Sequence, residues 1–339
     1  MKAAPLSLGK LPPELLAGLL ERHTFSFPDD RVLVYPGVGE DAAVIDVGER
    51  WLVAKTDPIT FATDEIGWYA VHVNANDIAA SGGVPRWFLS TLLLPEGQAN
   101  EALVERIMGQ IAAACRSLGI VPCGGHTEVT YGLDRPIVVG VMLGDLVPGN
   151  LVRSSDVQVG DVILMTKGVA VEGTAIMARE RGQELGARFS PEFLRRSQGF
   201  LHDPGISVVR EAHLAAAAAP VHAMHDPTEG GVATGLWELA LASDVGLEVD
   251  AASLPVFEET RLLCDALGLS PLGLIASGAL LIAVAEADVD AVSEALTEAG
   301  IAVAPIARAV SPEQGCVLRT AQGVGPLPRY DQDEIARLF

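Results

Sequence analysis

Short apolar runs alternate along the whole chain with stretches in which apolar residues recur every three or four positions. The runs at residues 162–166 and 280–285 are typical of buried strands. The clearest helical stretch follows Asn100, a good N-cap, and it repeats apolar residues at positions 103, 107, 111 and 115 before Gly119 ends it. The pattern therefore predicts a chain of mixed α-helices and β-strands.

The same pattern places each predicted element within the sequence. Strands are predicted at residues 31–35, 42–46, 51–55, 87–94, 120–123, 137–143, 162–166, 280–285 and 303–308. Helices are predicted at residues 12–23, 64–81, 101–118, 173–182, 204–219, 232–243, 257–267 and 289–299, the fifth beginning with Asp203 as N-cap and Pro204 as first residue. Turn-forming and polar residues fill the segment 144–161, which predicts two domains, residues 1–150 and 151–339.

Composition narrows the class of protein. The chain has 339 residues, of which 49% are apolar, with a mean hydropathy of +0.33, so it can bury a sizeable core and is not a disordered chain. It carries 23 basic and 44 acidic residues, a net charge of −21. This charge argues against binding to nucleic acid or to an anionic membrane surface. An anionic ligand would need local glycine amides, helix N-termini or metal ions to offset the field.

The sequence also predicts a cytoplasmic protein. The longest apolar runs are far shorter than the ~20 residues of a membrane-spanning helix. Pro12, Pro13 and Glu14 interrupt the N-terminal stretch, which argues against a signal peptide. The four cysteines contain no CxxC pair, which favours reduced thiols and argues against a cysteine metal site.

Four aspartates stand beside turn-forming or glycine-rich segments and are candidate metal ligands. They are Asp41 in GVGEDAAVI, Asp57 in KTDPI, Asp77 in NANDIAASGG and Asp226 in HDPTEGGV. Proteins usually hold Mg²⁺ by one or two carboxylates together with water and substrate phosphate, which suits separated aspartates. For any one of them alone, ordinary turn chemistry is the commoner explanation.

Glycine pairs at 82–83, 124–125 and 230–231 could bring backbone N–H groups close to a phosphate. The second pair continues into His126 and Glu128, which suit either a site or the hydrogen-bonded end of a strand. The chain has no GxxxxGK[ST], GxSxG or HExxH motif and no strand–GxGxxG–helix unit. The standard nucleotide-binding folds are therefore not indicated.

Taken in order, six motifs resemble the AIR synthase-related (PurM-like) ATP-binding superfamily. They are GEDAAVI, TDPI, NANDIAASGGVP, GGHTEV, HDPTEGGV and SGALLIAV, and they span residues 37–284. The superfamily includes aminoimidazole ribonucleotide synthase, thiamine-monophosphate kinase, selenophosphate synthetase and the HypE-type hydrogenase maturation factors. HDPTEGG and the segment 271–284 look most like the HypE type.

The resemblance implies an α+β protein of two domains. Residues 1–150 would form the ATP- and Mg²⁺-binding domain, whose mixed sheet, with helices on one side, pairs with that of a second subunit in a homodimer. Residues 151–339 would form an α/β domain. Carried over by motif, the implied metal ligands are Asp41, Asp57 and Asp77, the implied nucleotide-binding residues are Asn76, Gly124, Gly125, Thr127, Gly230 and Gly231, and the candidate catalytic residues are His126 and Asp226.

The chain departs from the HypE pattern at several positions. HypE ends in a tail whose final cysteine accepts a carbamoyl group, whereas the last thiol here is Cys316, in a predicted strand. The N-terminal phosphate segment of HypE is replaced by LSLGKLPPE, in which Lys10 is a candidate substitute. Glu229 stands where HypE-like sequences usually carry arginine, and His126 replaces an aspartate.

The leading functional hypothesis is an enzyme that uses ATP and Mg²⁺ to activate an oxygen atom of an unidentified acceptor by phosphorylation. A second hypothesis is a small-molecule kinase resembling thiamine-monophosphate kinase, which GEDAAVI supports and the HypE-like second half opposes. A third is an ATP-binding maturation factor that docks a partner protein without turnover, suggested by the absent terminal cysteine.

Overall fold

The computed structural model describes residues 11, 13–23, 28–37, 39–60, 62, 64–330 and 332–339. The chain divides into two compact units. The N-terminal unit contains residues 30–35 and 41–151. The C-terminal unit contains residues 152–339 together with residues 36–40 and the described residues up to Asp29. Each unit is built around its own sheet.

The N-terminal unit has a six-stranded sheet in the order β1-β2-β3-β6-β4-β5. Its strands are β1 (Val32–Val34), β2 (Ala43–Asp46), β3 (Trp51–Ile59), β4 (Val84–Pro95), β5 (Val121–Thr130) and β6 (Ile137–Leu146), and its helices are α2 (Ile66–Ala80) and α3 (Glu101–Leu118). Neighbouring strands are antiparallel except β4 and β5, which are parallel. This exception makes the sheet mixed.

One face of this sheet is covered and the other is not. Helix α2 packs against β3, β4 and β6. Alternate residues of β6 from Val138 to Leu146 are buried beneath it, because side chains of a strand point to opposite faces in turn. On the other face, apolar side chains such as Trp87, Leu89, Val139 and Val141 remain partly exposed. The unit therefore presents an apolar sheet face that its own helices do not cover.

The C-terminal unit has a seven-stranded sheet in the order β13-β12-β9-β11-β7-β10-β8. Its strands are β7 (Val162–Thr166), β8 (Val221–His225), β9 (Gly246–Asp250), β10 (Leu281–Val284), β11 (Val303–Val310), β12 (Cys316–Thr320) and β13 (Gly323–Pro326). Its helices are α1 (Pro13–His23), α4 (Val171–Glu180), α5 (Gly182–Leu185), α6 (Pro191–Gln198), α7 (Val209–Ala218), α8 (Gly231–Ser243), α9 (Glu258–Leu267) and α10 (Val289–Glu298). The central strands β7 and β10 are fully buried, as their continuous apolar runs predict.

The predicted mixed α and β architecture of two sheets with helices is confirmed. The predicted domain limits differ from the structural units at the beginning of the chain. Glu14 lies 3.7 Å from Arg329, and Glu40 accepts a hydrogen bond from the Ser155 hydroxyl, so these early segments contact the C-terminal unit. Across the described ranges, no helix is both long and apolar enough to cross a membrane.

Several predicted elements were wrong in extent, and three of them bear on the candidate residues or on the start of a helix. β3 continues four residues beyond Lys55, so Asp57 lies within the strand and not after it. β5 continues through the predicted glycine turn at 124–125. Helix α7 begins at Val209 and not at Pro204. Helices α5 and α6 and strands β8, β9 and β13 were not predicted.

Candidate metal and nucleotide site

Strand β3 presents Lys55 and Asp57 on the covered face of the N-terminal sheet. Residues two apart along a strand share a face, and Val53 and Ile59, which share this one, are buried. Both polar side chains therefore point toward the side on which α2 packs. β2 pairs only with residues 51–54 of β3, so the backbone edge of β3 is open at Asp57.

The amide side chain of Asn74 occupies that open edge. Its Oδ1 accepts the Asp57 N–H at 2.8 Å, and its Nδ2 donates to the Asp57 carbonyl at 3.3 Å. Nδ2 also donates to the Ala70 carbonyl at 2.8 Å. A Cβ at Gly140 would lie 2.4 Å from this Nδ2, so glycine leaves the space that the Asn74 amide fills. Asn74 thus fixes the backbone of a predicted metal ligand.

Helix α2 carries four buried polar residues, His72, Asn74, Asn76 and Asp77, among otherwise apolar positions. A helix buried almost all round rarely carries so many, because an unsatisfied polar group costs free energy. Asp77 lies three residues after Asn74 and therefore on the same helix face. The helix brings both side chains to β3.

Three predicted metal ligands and one lysine come together in the N-terminal unit. The Nζ of Lys55 lies 3.2 Å from Oδ2 of Asp57 and 3.2 Å from Oδ1 of Asp77. A carboxylate oxygen of Asp41 lies within 4.8 Å of one of Asp77. We call Asp41, Asp57, Asp77 and Lys55 the carboxylate cluster. Carboxylate oxygens are the ligands that Mg²⁺ prefers, so the donor set fits this metal.

The GGHT residues lie within β5, at the edge of the sheet, and not in a glycine turn. Gly125, with φ of +148°, lies opposite Ser90 of β4, and a Cβ there would come within 2.0 Å of the Ser90 carbonyl oxygen. Strand packing alone therefore requires this glycine. Gly124 has no such constraint, because its nearest neighbour would be 3.6 Å away.

His126 and Thr127 point to opposite faces of the sheet. Asp57 pairs with Gly140, Gly140 with Ser90, and Ser90 with Gly125. Paired residues of neighbouring strands point to the same face, so Gly125 is on the same face of the sheet as Asp57. His126, one residue further, faces the uncovered side, where its Nε2 lies 3.1 Å from Glu128. Its side chain is 65% exposed. Within the N-terminal unit, His126 is therefore not joined to the carboxylate cluster.

Asp226 follows β8 in the C-terminal unit and is buried. The segment after it leads into α8, where Gly230 is the N-cap residue. The Gly230 N–H donates to Asp333 at 2.6 Å, and the Gly231 N–H donates to the Thr228 carbonyl at 3.1 Å. The expectation that these two N–H groups are available to a phosphate is thus corrected, because groups of the chain itself already accept them.

The contacts of Asp333 were not predicted from the sequence. Besides Gly230, its carboxylate accepts the N–H groups of Ile275 and Ile335. Burial raises the pKa of Asp333 to about 6, although these three N–H donors oppose the rise. Burial also raises the pKa of Glu172, in α4, to about 7, with the negative charges of Asp333 and Glu229 adding to the rise.

The cysteines and Lys10, at which the chain departs from the HypE pattern, are located as follows. Cys316 begins β12 and is buried, and burial raises the pKa of its thiol. Cys123, on β5, is the exposed thiol of the four, all of which are unpaired. Lys10 lies outside the described residues.

Both halves of the chain are similar to known protein domains. Residues 39–146 match the family model "AIR synthase related protein, N-terminal domain", and residues 158–317 match "AIR synthase related protein, C-terminal domain". A carbamoyl dehydratase HypE of Rhizobium leguminosarum bv. viciae is 31% identical over 268 residues, covering 76% of this chain and 73% of the relative. A putative hydrogenase expression/formation protein of Methanocaldococcus jannaschii is 28% identical over 293 residues, covering 84% of this chain and 83% of the relative.

A similar solved structure is that of the hydrogenase maturation protein HypE in complex with ATP. It is 26% identical and has a TM-score of 0.73. The match covers 97% of this chain and 98% of that structure.

Proposed function

This chain belongs to the AIR synthase related family of enzymes and is of the HypE type, and from this premise we propose that it binds ATP with Mg²⁺ and activates an oxygen atom of an acceptor by phosphorylation. The acceptor is a small molecule or a group carried by a protein. The observation that carries the proposal is the carboxylate cluster, where Asp41, Asp57 and Asp77 gather around the end of β3 and the buried helix α2.

Asp41, Asp57 and Asp77 would hold the metal. When bound, Mg²⁺ would neutralise the phosphate charge that a chain of net charge −21 otherwise repels. The chain's own part is to hold the ligands still: Asn74 fixes the Asp57 backbone, and α2 fixes Asp77. Preorganised ligands of this kind contribute positioning, which is most of what phosphoryl transfer needs from a protein.

The transfer itself is a displacement at phosphorus. The acceptor oxygen forms a bond to a phosphorus atom of ATP while the bond from that phosphorus to the leaving phosphate oxygen breaks. The acceptor proton passes to a base. His126 is proposed for proton carriage or orientation and not as a metal ligand, because its side chain faces away from the side of Lys55 and Asp57. Asp226 is kept as a second candidate catalytic residue.

For nucleotide contacts we propose Asn76 on α2 together with Gly124, Gly125 and Thr127 on β5. Thr127 shares a sheet face with Asp57, and a Cβ on Gly124 would make only an ordinary contact with Leu89, at 3.6 Å. Gly230 and Gly231 are proposed to shape the start of α8 by close packing, since a Cβ on Gly231 would lie 2.4 Å from the Leu272 carbonyl.

We also propose a homodimer formed through the uncovered face of the N-terminal sheet and its β5 edge. The face carries Trp87, 42% exposed, beside Leu89, Val139 and Val141. An apolar sheet face next to an exposed edge strand is a surface that proteins normally cover. A second copy of the same chain would cover both features by two-fold symmetry.

Calorimetric titration of the purified protein with ATP, with and without Mg²⁺, tests the proposal. Binding that requires Mg²⁺ is expected, followed by ADP release in a screen of oxygen acceptors. Phosphorylation of a free small molecule would assign the kinase hypothesis. Tight binding with no turnover, together with a stable partner complex, would favour the maturation-factor hypothesis. No binding in either condition would contradict the proposed function.

A further inference from the structure

Lys55 is a cation that lies within the carboxylate cluster itself. Its Nζ is equidistant, at 3.2 Å, from carboxylate oxygens of Asp57 and Asp77. The Lys55 and Asp77 side chains are 19% and 5% exposed, so water screens their contact far less than it screens a surface ion pair. Lysine is scarce in this chain, with four in 339 residues, which makes this placement notable.

The carboxylate cluster needs a positive charge when no metal is bound. Asp41 and Asp77 have carboxylate oxygens within 4.8 Å of one another, and like charges so close repel strongly when partly buried. The hydrogen bonds from Asn74 go to the Asp57 backbone and leave its carboxylate charge unbalanced. Lys55 supplies the balancing charge from the same strand face.

We propose that the Lys55 ammonium group is a resident counter-ion of this site, which holds Asp57 and Asp77 before Mg²⁺ binds and releases them when Mg²⁺ arrives with the nucleotide. The inference rests on the proposed function, because it concerns the same carboxylates. Two cations on the same pair of carboxylates repel each other, so Lys55 and the metal compete. Nucleotide phosphates relieve the competition by giving the released ammonium a new anionic partner.

A consequence is that the metal and the nucleotide bind together. Free Mg²⁺ meets a site whose charge is already partly balanced, whereas Mg²⁺ with ATP brings the anion that Lys55 needs. Lys55 therefore acts as a positioning residue that couples metal binding to nucleotide binding. Without Lys55, the metal is expected to bind tightly even when no nucleotide is present.

The test is the affinity for Mn²⁺ alone, measured by electron paramagnetic resonance of the free ion. Lys55→Met is expected to bind Mn²⁺ at least tenfold more tightly than wild type without nucleotide. Lys55→Arg keeps the charge and is expected to retain the wild-type affinity. Arg86→Gln is the matched control, because it removes one positive charge from the same unit, where Arg86 pairs with Asp145 at 2.7 Å.

Two negative results have different meanings. Equal Mn²⁺ affinity of Lys55→Met and wild type, when wild type binds Mn²⁺ with ATP, overturns the role of Lys55 and leaves the proposed function standing. Absence of Mn²⁺ binding to wild type even with ATP overturns the proposed function and this inference with it. The melting temperature of Lys55→Met separates two further cases. If Lys55 has a purely structural role, the variant melts at a lower temperature and Mg²⁺ does not restore it. If Lys55 is a counter-ion, Mg²⁺ restores the melting temperature.

A measurement on the wild-type protein tests the proposal even if Lys55→Met does not fold. With lysine labelled by ¹³C at Cε, the spectrum holds four side-chain signals, and Lys55→Arg identifies the one from Lys55. This signal is expected to shift when Mg²⁺ and a non-hydrolysable ATP analogue are added together. A signal that stays unchanged at saturation overturns the proposal.

Discussion

Asn74 and Asp57 are joined by two hydrogen bonds in which a helix side chain takes the place of a neighbouring strand. The Asn74 amide accepts from the Asp57 N–H and donates to the Asp57 carbonyl, as a paired residue of a sheet would. Strand β2 ends its pairing before this point, so the helix completes the ladder. A helix side chain therefore holds the backbone of a predicted metal ligand at this edge of β3.

Asn74→Ala is expected to lower the free energy of unfolding by about 1–3 kcal/mol, because it leaves the partly buried N–H and carbonyl of Asp57 without these partners. It should also weaken the binding of ATP with Mg²⁺, since Asp57 loses its support. Urea unfolding and calorimetry measure the two effects. Asn100→Ala is the control: it removes the helix cap to Leu103 in the same unit, at about 1 kcal/mol, and should leave affinity unchanged. Unchanged affinity in both variants would contradict a positioning role for Asn74.

Asp77→Asn is expected to weaken the binding of ATP with Mg²⁺ by more than about 1 kcal/mol, or several-fold in Kd, while the fold stays intact. The change removes a metal-binding charge and keeps the shape of the side chain. Circular dichroism checks the fold, and calorimetry gives the affinity. Asp145→Asn removes a charge from the exposed pair with Arg86 and should have no effect on binding. A folded Asp77→Asn protein with wild-type affinity would rule out Asp77 as a ligand.

Stability is expected to fall as the pH rises from about 4.5 to about 7. The folded protein raises the pKa of Glu172 from 4.5 to about 7, so the native state binds its proton more tightly than the unfolded chain. The stabilisation is complete below pH 4.5 and is lost as the pH passes 7, by up to about 3 kcal/mol. Asp333, with its pKa raised to about 6, acts in the same direction.

Glu172→Gln isolates this effect, because the amide stays neutral at every pH. Urea unfolding at pH 5 and pH 8 should show a smaller loss of stability in the variant than in wild type. The exposed substitution Glu298→Gln is the control and should follow the wild-type profile. Parallel profiles for all three proteins would show that Glu172 does not titrate in this range.

If the protein is the proposed homodimer, Trp87→Glu is expected to convert it into monomers, because the variant places a charge on the uncovered apolar face of the N-terminal sheet. Light scattering after size-exclusion chromatography measures the mass. Met108→Glu places the same charge at an equally exposed apolar position on α3 and should leave the dimer intact. If wild type is itself a monomer at micromolar concentration, the homodimer is wrong.

The parts of the fold that local chemistry determines could be predicted from the sequence. Helix α3 begins after the Asn100 cap and ends at Gly119 as expected, because its cap, its apolar spacing and its C-terminal glycine agree. β5 was cut short because its glycine pair looked like a turn. Only the approach of the Ser90 carbonyl to Gly125 shows why a strand needs glycine there.

Some residues of the candidate site could likewise be predicted from the sequence, and others could not. The resemblance places Asp41, Asp57 and Asp77 in motifs, and their proximity to one another became visible only when β3 and α2 packed together. Asn74 was missed, although its position three residues before Asp77 puts it on the same helix face. Lys55 was not among the predicted site residues. No local signal connects Asp333 with Gly230, since the two lie 103 positions apart in the sequence.

That separation has a consequence for how the protein is made. At the usual rates of synthesis, the 103 residues from Gly231 to Asp333 take about 5–20 s to be added, and until then the N–H of Gly230 lacks this acceptor. The start of α8 therefore closes only after Asp333 has left the ribosome. The C-terminal unit acquires its final form in a late step, which falls after translation of the loop that depends on it.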